Sequence, residues 1–139
     1  MPQLNVNNVN LEFESFGDST SPAFVFIGGL GSQLVSWHPD FIQLFVESGF
    51  RVVTFDNRDV GKSSWFDDAG KSNLSKPENG LAYTLDDMAA DTVGLIENVC
   101  GGHAHVMGVS LGGMIAQVVA YTKPEMALSL GLIMTTTGA

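Results

Sequence analysis

The sequence predicts an α/β fold of three layers, in which helices cover both faces of a mostly parallel sheet. Ala23 to Ile27 and Arg51 to Phe55 are short, continuous apolar runs rich in Val and Phe, typical of strands that are buried on both faces. Such runs alternate with stretches of helical spacing, which is the pattern of β-α-β units. Because 139 residues suit one ordinary domain, we expect a single domain over residues 1–139.

The first elements follow a different pattern. Apolar and polar residues alternate from Leu4 to Val9 and again from Leu11 to Phe16, with a break at Asn7-Asn8. A period of two predicts two antiparallel strands of a half-exposed hairpin. The turn formers from Gly17 to Pro22 then lead into the first core strand.

Helical spacing marks three stretches of the chain. The first runs from Trp37 to Ser48 and ends at Gly49, and the second follows Thr84, whose acidic successors Asp86 and Asp87 suit the positive end of a helix dipole. The third runs from Leu111 to Thr122 and ends before Lys123-Pro124.

Two more apolar runs, Ala104 to Val109 and Leu128 to Met134, predict the last strands. Ser64 to Ala82 is rich in Ser, Asn, Asp, Gly and Lys, so we expect an exposed irregular excursion there. The predicted sheet thus has six strands, counting the hairpin.

Composition excludes several classes of partner. The formal charge is −9, and no basic cluster interrupts the sequence, which argues against nucleic acid and anionic membranes as partners. No apolar run approaches the roughly 18 residues needed to cross a bilayer. Cys100 is the single cysteine and has no visible basic neighbour, so we expect an inert thiol, no metal or cofactor, and a cytoplasmic protein without a leader.

A serine lies where the fifth strand ends and a helix begins, in Gly108-Val109-Ser110-Leu111-Gly112. A strand-turn-helix of this kind strains the serine backbone and crowds its flanks, so glycine is needed two residues before and two after. The hydroxyl is then exposed above the sheet, and the N–H of Leu111 faces a developing oxyanion. The pattern predicts a nucleophilic Ser110, whereas a plain turn is the alternative.

A second oxyanion donor is expected in the glycine-rich loop after the first core strand. There Gly29 and Gly31 let the backbone approach a substrate carbonyl, and the N–H of Leu30 is the predicted donor. The alternative, a dinucleotide-binding loop, fails because Leu34 occupies the third glycine position and the strand comes late in the chain.

From about Leu11 to Gly138 the chain resembles the α/β-hydrolase superfamily. Phe55 to Ser63, Tyr83 to Asp91 and Met134 to Gly138 are similar to the branch that contains aclacinomycin methylesterase, with enol-lactone hydrolases and cofactor-free haloperoxidases as near relatives. The resemblance implies a serine hydrolase that acts on small-molecule esters or lactones through an acyl-enzyme.

Members of that superfamily supply the triad in the order Ser, Asp or Glu, then His. After Ser110 this chain has no Asp and no His, and its one later carboxylate is Glu125. We therefore expect the N-terminal half of the fold, truncated before the rest of the triad, in which Ser110 alone is nearly inert. His103 and His105 lie at the beginning of their strand, at the edge opposite to ligand sites. His38 is a helix-capping or surface residue, with a substrate contact as the alternative.

Four other residues have structural and functional interpretations. Asp56 and Arg58 are expected to pair or hydrogen-bond so that they hold the loop after their strand. Trp37 and Phe66 either line an acyl or ring pocket or pack in the core. Trp37 is a candidate substrate contact together with Gly29 and Gly31.

Two functions from different classes remain open. One is a serine hydrolase lineage with weak or no activity in this chain. The other is a non-catalytic half-domain that docks on a partner or forms a homodimer. An exposed edge strand from Leu128 to Met134 would pair two copies into one continuous sheet.

Overall fold

The computed structural model describes residues 1–67 and 81–137. Within them the strands are β1 (Gln3–Val6), β2 (Val9–Phe16), β3 (Ala23–Ile27), β4 (Arg51–Phe55), β5 (Ala104–Val109) and β6 (Ala127–Ile133). The helices are α1 (Pro39–Glu47), α2 (Leu85–Val99) and α3 (Leu111–Thr122), and a 3-10 turn spans Leu34–Ser36.

The six strands form one sheet in the order β1-β2-β4-β3-β5-β6. β1 and β2 form an antiparallel hairpin, and β2 also pairs antiparallel with β4. From β4 to β6 every pair is parallel, so the carboxyl ends of β3, β4 and β5 meet at one edge of the sheet. The predicted α/β class with a mostly parallel sheet is confirmed.

Alternation along β3 explains the two cores. Val25 and Ile27 pack into the larger core with residues of α2 and α3, whereas Phe26 packs with Ile42 of α1 on the other face. Phe24 and Phe26 lie edge-on to Phe45, with ring centroids 5.0 Å apart in both pairs. Helices therefore cover both faces of the sheet, which gives the predicted three layers.

The hairpin, β3, β4, β5 and α3 lie where the sequence places them. Two predictions need correction. The helix expected from Trp37 to Ser48 begins only at Pro39, because His38 has extended backbone and its Nδ1 accepts from the N–H of Asp40. The last strand, expected from Leu128 to Met134, is shifted back by one residue and ends before Met134, whose φ of +49° is incompatible with a strand.

The start of α2 matches the sequence pattern. Thr84 is its N-cap, and the side chains and backbone N–H groups of Thr84 and Asp87 bond reciprocally in a capping box. Most of the excursion expected from Ser64 to Ala82, residues 68–80, lies outside the described residues. Among the helices of the described ranges, none is long and apolar enough to span a membrane.

Candidate active site

Ser110 occupies the sharp junction between β5 and α3. Its backbone has φ +55° and ψ −119°, a conformation that a residue with a side chain rarely adopts. Its side chain makes no capping bond to the helix, and the residue is exposed. The turn therefore leaves the hydroxyl free at the carboxyl edge of the sheet.

The glycines of the elbow are required by close backbone contacts. A Cβ on Gly108 would lie 2.1 Å from the carbonyl oxygen of Gly112. A Cβ on Gly112 would lie 2.1 Å from the carbonyl oxygen of Ile27, at the end of β3. The first of these oxygens belongs to α3 and the second to β3, so neither can move without shifting its element, and no larger residue fits either position.

The glycine-rich loop after β3 lies against the elbow. A Cβ on Gly29 would lie 3.5 Å from the Cβ of Ser110. The N–H of Ser32 donates to the carbonyl of Gly29 at 3.1 Å, and Gly31 has φ +70°, so residues 29–32 form a β-turn. Leu30 is the second residue of this turn, whose hydrogen bond does not use the N–H of Leu30. The residue as a whole is 88% exposed.

Leu111 is the first residue of α3, so its N–H belongs to the orphan donors of the helix start. A cleft of about 930 Å³ lies beside the elbow and is lined by Gly29, Leu30, Gly31 and Leu111. These four residues, all predicted from the sequence, therefore line one cavity. Ser110 is not among its lining residues and adjoins it through Leu111. The further walls of the cavity are Asn57, Arg58, Asp59, Val60, Leu81, Tyr83, Thr84, Leu85, Asp86, Met88, Val118, Tyr121 and Thr137.

Trp37 does not line that cleft. Its ring lies 5.0 Å from the ring of Phe26 and is stacked on Phe41 at 6.2 Å. It also borders a separate hollow of about 140 Å³ behind the glycine loop, next to Gly29 and Val109. Core packing is therefore visible for Trp37, and its role as a substrate contact stays a prediction.

The loop after β4 forms one wall of the cleft, and its side chains are hydrogen-bonded to other elements. The guanidinium of Arg58 donates from Nε and from one terminal nitrogen to the carboxylate of Asp91, both at 2.7 Å. Burial alone would lower the pKa of Arg58, but the hydrogen bonds and charge of Asp91 raise it above its ordinary value. Arg58 also lies over the rings of Phe66 and Tyr83, at 5.0 and 4.9 Å from their centroids.

Asp56 and Arg58 hold the loop as expected, but not through each other. Asp56 accepts from the N–H of Leu34 at 2.7 Å and from the N–H of Lys62 at 3.0 Å, so it joins two loops. The partner of Arg58 is Asp91 on α2. Spacing along one loop could not reveal a partner so far along the chain.

Tyr83 and Asp59 continue this wall. The Tyr83 hydroxyl donates to Asp59 at 2.7 Å, and the other oxygen of Asp59 accepts from the N–H of Phe66 at 2.6 Å. Burial, together with the hydrogen bond and charge of Asp59, raises the pKa of Tyr83 to about 12. The sequence suggests neither of these hydrogen bonds. The ring of Phe66 packs against Tyr83 and the Arg58 guanidinium.

None of the three histidines bonds to Ser110, and all lie within the described ranges. His38 caps α1, and its side chain is 74% exposed. His105 Nδ1 lies 2.7 Å from Ser129 Oγ, at the amino end of β5. Glu125 is exposed in the turn after α3. No base or acid of a triad is thus placed at Ser110 in the part of the chain that the structure describes.

Cys100 differs from the expectation in one respect. Burial raises the pKa of its thiol to about 11, although Arg51 lies close enough to oppose that rise. The expected inert thiol therefore has a basic neighbour after all, and desolvation outweighs it. In the described ranges, no group of three His, Cys, Asp or Glu side chains is arranged to hold a metal ion.

Thr135 is a site residue that the sequence reasoning missed. Its hydroxyl donates to the carbonyl oxygen of Ser110 at 2.7 Å. The available signal was its place two residues after a strand that neighbours β5, since such residues lie at the ligand edge of the sheet.

Comparisons with known proteins agree with this geometry. A family model described as alpha/beta hydrolase fold matches residues 22–138. Rhodomycin D methylesterase DnrP from Streptomyces peucetius is 32% identical over 96% of this chain and 42% of its own length. A Mycobacterium tuberculosis protein with the provisional name non-heme bromoperoxidase, BpoC, is 35% identical over 91% of this chain and 42% of its own.

A solved structure extends the likeness to the backbone. A carboxylesterase from the thaumarchaeon Nitrososphaera gargenis superimposes with a TM-score of 0.82 at 27% identity, over 98% of this chain and 46% of that one. The chain therefore spans less than half the length of these proteins.

Proposed function

Because the chain belongs to the alpha/beta hydrolase fold family, we propose that Ser110 is the nucleophile of a hydrolase acting on carboxylic esters or lactones. The observation that carries this proposal is the elbow. A strained serine with a free hydroxyl stands against the glycine loop and next to the cleft. Two of the similar proteins bear the names of a methylesterase and a carboxylesterase, which supports an ester as the substrate class.

In this proposal Ser110 Oγ attacks the substrate carbonyl carbon and loses its proton to a base. The carbonyl oxygen becomes an oxyanion that accepts from the N–H groups of Leu30 and Leu111. Collapse of the tetrahedral intermediate breaks the C–O bond, and the protonated base returns its proton to the leaving alkoxide. Water then hydrolyses the acyl-enzyme by the same steps in reverse, and a lactone differs only in that the alkoxide stays attached.

In the described ranges, no base or carboxylate partner is bonded to Ser110. The proteins similar to this chain are more than twice its length, and we propose that both groups belong to a segment beyond Ala139. The chain by itself would then keep only binding and oxyanion stabilisation, so its activity would be weak.

Labelling by a fluorophosphonate probe tests the nucleophile. We expect slow modification of the 139-residue chain at Ser110, located by peptide mass spectrometry, and none in Ser110→Ala. Ser129→Ala is the matched control, because Ser129 also lies near an imidazole but away from the cleft. Silence of the parent chain, or labelling that survives Ser110→Ala, would contradict the proposal for this chain.

A second candidate function rests on β6. This strand pairs only with β5 in the described ranges, and Leu128, Leu130 and Leu132 are 51, 40 and 43% exposed. As the alternative to a segment beyond Ala139, we propose that two copies of the 139-residue chain pair along this edge. Sedimentation should show a dimer at micromolar concentration that Leu130→Lys dissociates, whereas a strict monomer would contradict it.

The expected cytoplasmic location also stays a prediction.

A further inference from the structure

The chain after β6 turns back over the elbow. Met134 has φ +49°, a left-handed conformation that ends the strand and reverses its direction. Thr135 is thereby brought to the start of α3, where its hydroxyl donates to the carbonyl oxygen of Ser110 at 2.7 Å. A residue with left-handed backbone thus follows each of these two neighbouring strands, and the Thr135 hydrogen bond joins the two strand exits.

β6 and its exit contact both polar groups of the Ser110 backbone. The N–H of Ser110 donates to the carbonyl of Ile133 at 3.0 Å, and its carbonyl accepts from Thr135. The same carbonyl also accepts from the N–H groups of Gly113 and Met114 at 2.9 and 3.3 Å, but those bonds are part of the helix itself. Thr135 is thus the side chain that connects the elbow carbonyl to another element.

The position of Thr135 is fixed from two sides. Gly113 leaves the space that the Thr135 side chain fills, since a Cβ there would lie 2.5 Å from its methyl carbon and 2.6 Å from its hydroxyl oxygen. The side-chain amide of Gln117 donates to the carbonyl of Thr136 at 2.8 Å. α3 therefore holds the segment that in turn bonds to Ser110.

We propose that Thr135 is a positioning residue, whose hydroxyl keeps Ser110 in the strained conformation that presents its side chain at the helix N-terminus. This inference rests on the proposed role of Ser110. A sparsely populated backbone conformation persists only where its surroundings over-determine it. Without the Thr135 bond, the elbow can relax and its side chain moves relative to the donors of α3.

The test needs a readout that works without a triad. Ser110→Cys places a thiol at the elbow, and Cys100→Ser removes the other one. A thiol at a helix N-terminus has a lowered pKa that depends on its position, so iodoacetamide alkylation measured against pH reports that position. In this background we expect Thr135→Val to raise the pKa of the introduced thiol and to slow alkylation at neutral pH about tenfold.

Three further variants separate positioning from simple support of the fold. Thr135→Ser keeps the hydroxyl and should restore the parent profile, and Thr136→Val should leave it unchanged. Gln117→Ala loosens the same segment more mildly and should shift the pH profile in the same direction as Thr135→Val. It therefore tests the inference even if Thr135→Val does not fold.

Two results would overturn the inference. One is an unchanged pH profile in folded Thr135→Val, and the other is a Thr135→Ser variant that behaves like Thr135→Val. A merely structural threonine would lower the melting temperature and leave the profile in place. Failure of fluorophosphonate labelling would count against the proposed hydrolase but would not alter the thiol measurement, so the two failures are distinguishable.

Discussion

The loops that follow β4 and β5 begin at the same edge of the sheet. Each contains a non-glycine residue with left-handed backbone, Asp59 at φ +61° and Ser110 at φ +55°. They use their polar groups in opposite ways. After β4, the side chains of Asp56, Arg58 and Asp59 all bond to other parts of the protein. After β5, the Ser110 side chain makes no capping bond.

The loop after β4 therefore shapes the site, whereas the loop after β5 presents its candidate reacting group. Polar groups that already bond to one another fix the shape of a wall, and they are less available to a substrate. An exposed hydroxyl on a strained turn adds nothing to the fold through its own bonds, and a reacting group needs that freedom. Strain alone does not identify a nucleophile, because Asp59 is strained as well.

The largest effect is expected where the wall after β4 is broken. Asp91→Ala leaves the Arg58 guanidinium buried without its partner, since both side chains are at most 5% exposed. Loss of one member of a buried pair costs about 3–5 kcal/mol. Urea denaturation should show a loss of this size, whereas a change below about 1 kcal/mol would mean that solvent reaches the pair.

The elbow should respond strongly to a change in its backbone. Gly112→Ala places a Cβ 2.1 Å from the carbonyl oxygen of Ile27, so β3 or α3 must shift. We expect a loss of roughly 3 kcal/mol in the same assay. Gly131→Ala is the control, because its nearest neighbour is a flexible Met107 carbon at 3.3 Å. Equal losses in the two variants would contradict the tight elbow.

A smaller effect is expected for Tyr83→Phe, which removes the hydrogen bond to Asp59. One such bond contributes about 1 kcal/mol. Because the pKa of Tyr83 is raised from 10.0 to about 12 in the folded protein, the unfolded chain ionises first as the pH rises. The stability that Tyr83 contributes is therefore full below pH 10 and is lost towards pH 12.

Denaturation midpoints measured at neutral pH and in that alkaline window check this contribution. The parent should lose more stability between the two conditions than Tyr83→Phe does. An identical pH dependence in the parent and in Tyr83→Phe would show that folding does not raise the pKa of Tyr83.

The smallest change in stability is expected for Ser110→Ala. Its hydroxyl makes no capping bond, so its removal should alter the free energy of unfolding by no more than about 0.5 kcal/mol. A loss near 2 kcal/mol would reveal a structural role for the hydroxyl and would weaken the contrast with the β4 loop.

The sequence predicts the parts of this site that depend on local geometry. Glycine spacing around Ser110 predicts the elbow, and apolar runs predict β3, β4 and β5, because backbone sterics and burial act over a few residues. It does not predict that Arg58 pairs with Asp91 or that Thr135 reaches the Ser110 carbonyl. Both contacts join elements that are distant in sequence, and only the packing of the sheet brings them together.

The boundaries of single elements were missed for a different reason. Capping by His38 delays the start of α1, and the left-handed conformation of Met134 ends β6 early. In both cases a single residue outweighs the hydrophobic period on which the sequence prediction relied.

The central claim is that Ser110 is a nucleophile held ready by its backbone. Time-resolved fluorophosphonate labelling with peptide mass spectrometry tests it most directly, with Ser110→Ala and Ser129→Ala alongside the parent chain. We predict modification of the peptide that contains Ser110 in the parent and in Ser129→Ala, and none in Ser110→Ala. An unlabelled parent chain, or a label on any other serine at the same rate, would contradict the claim.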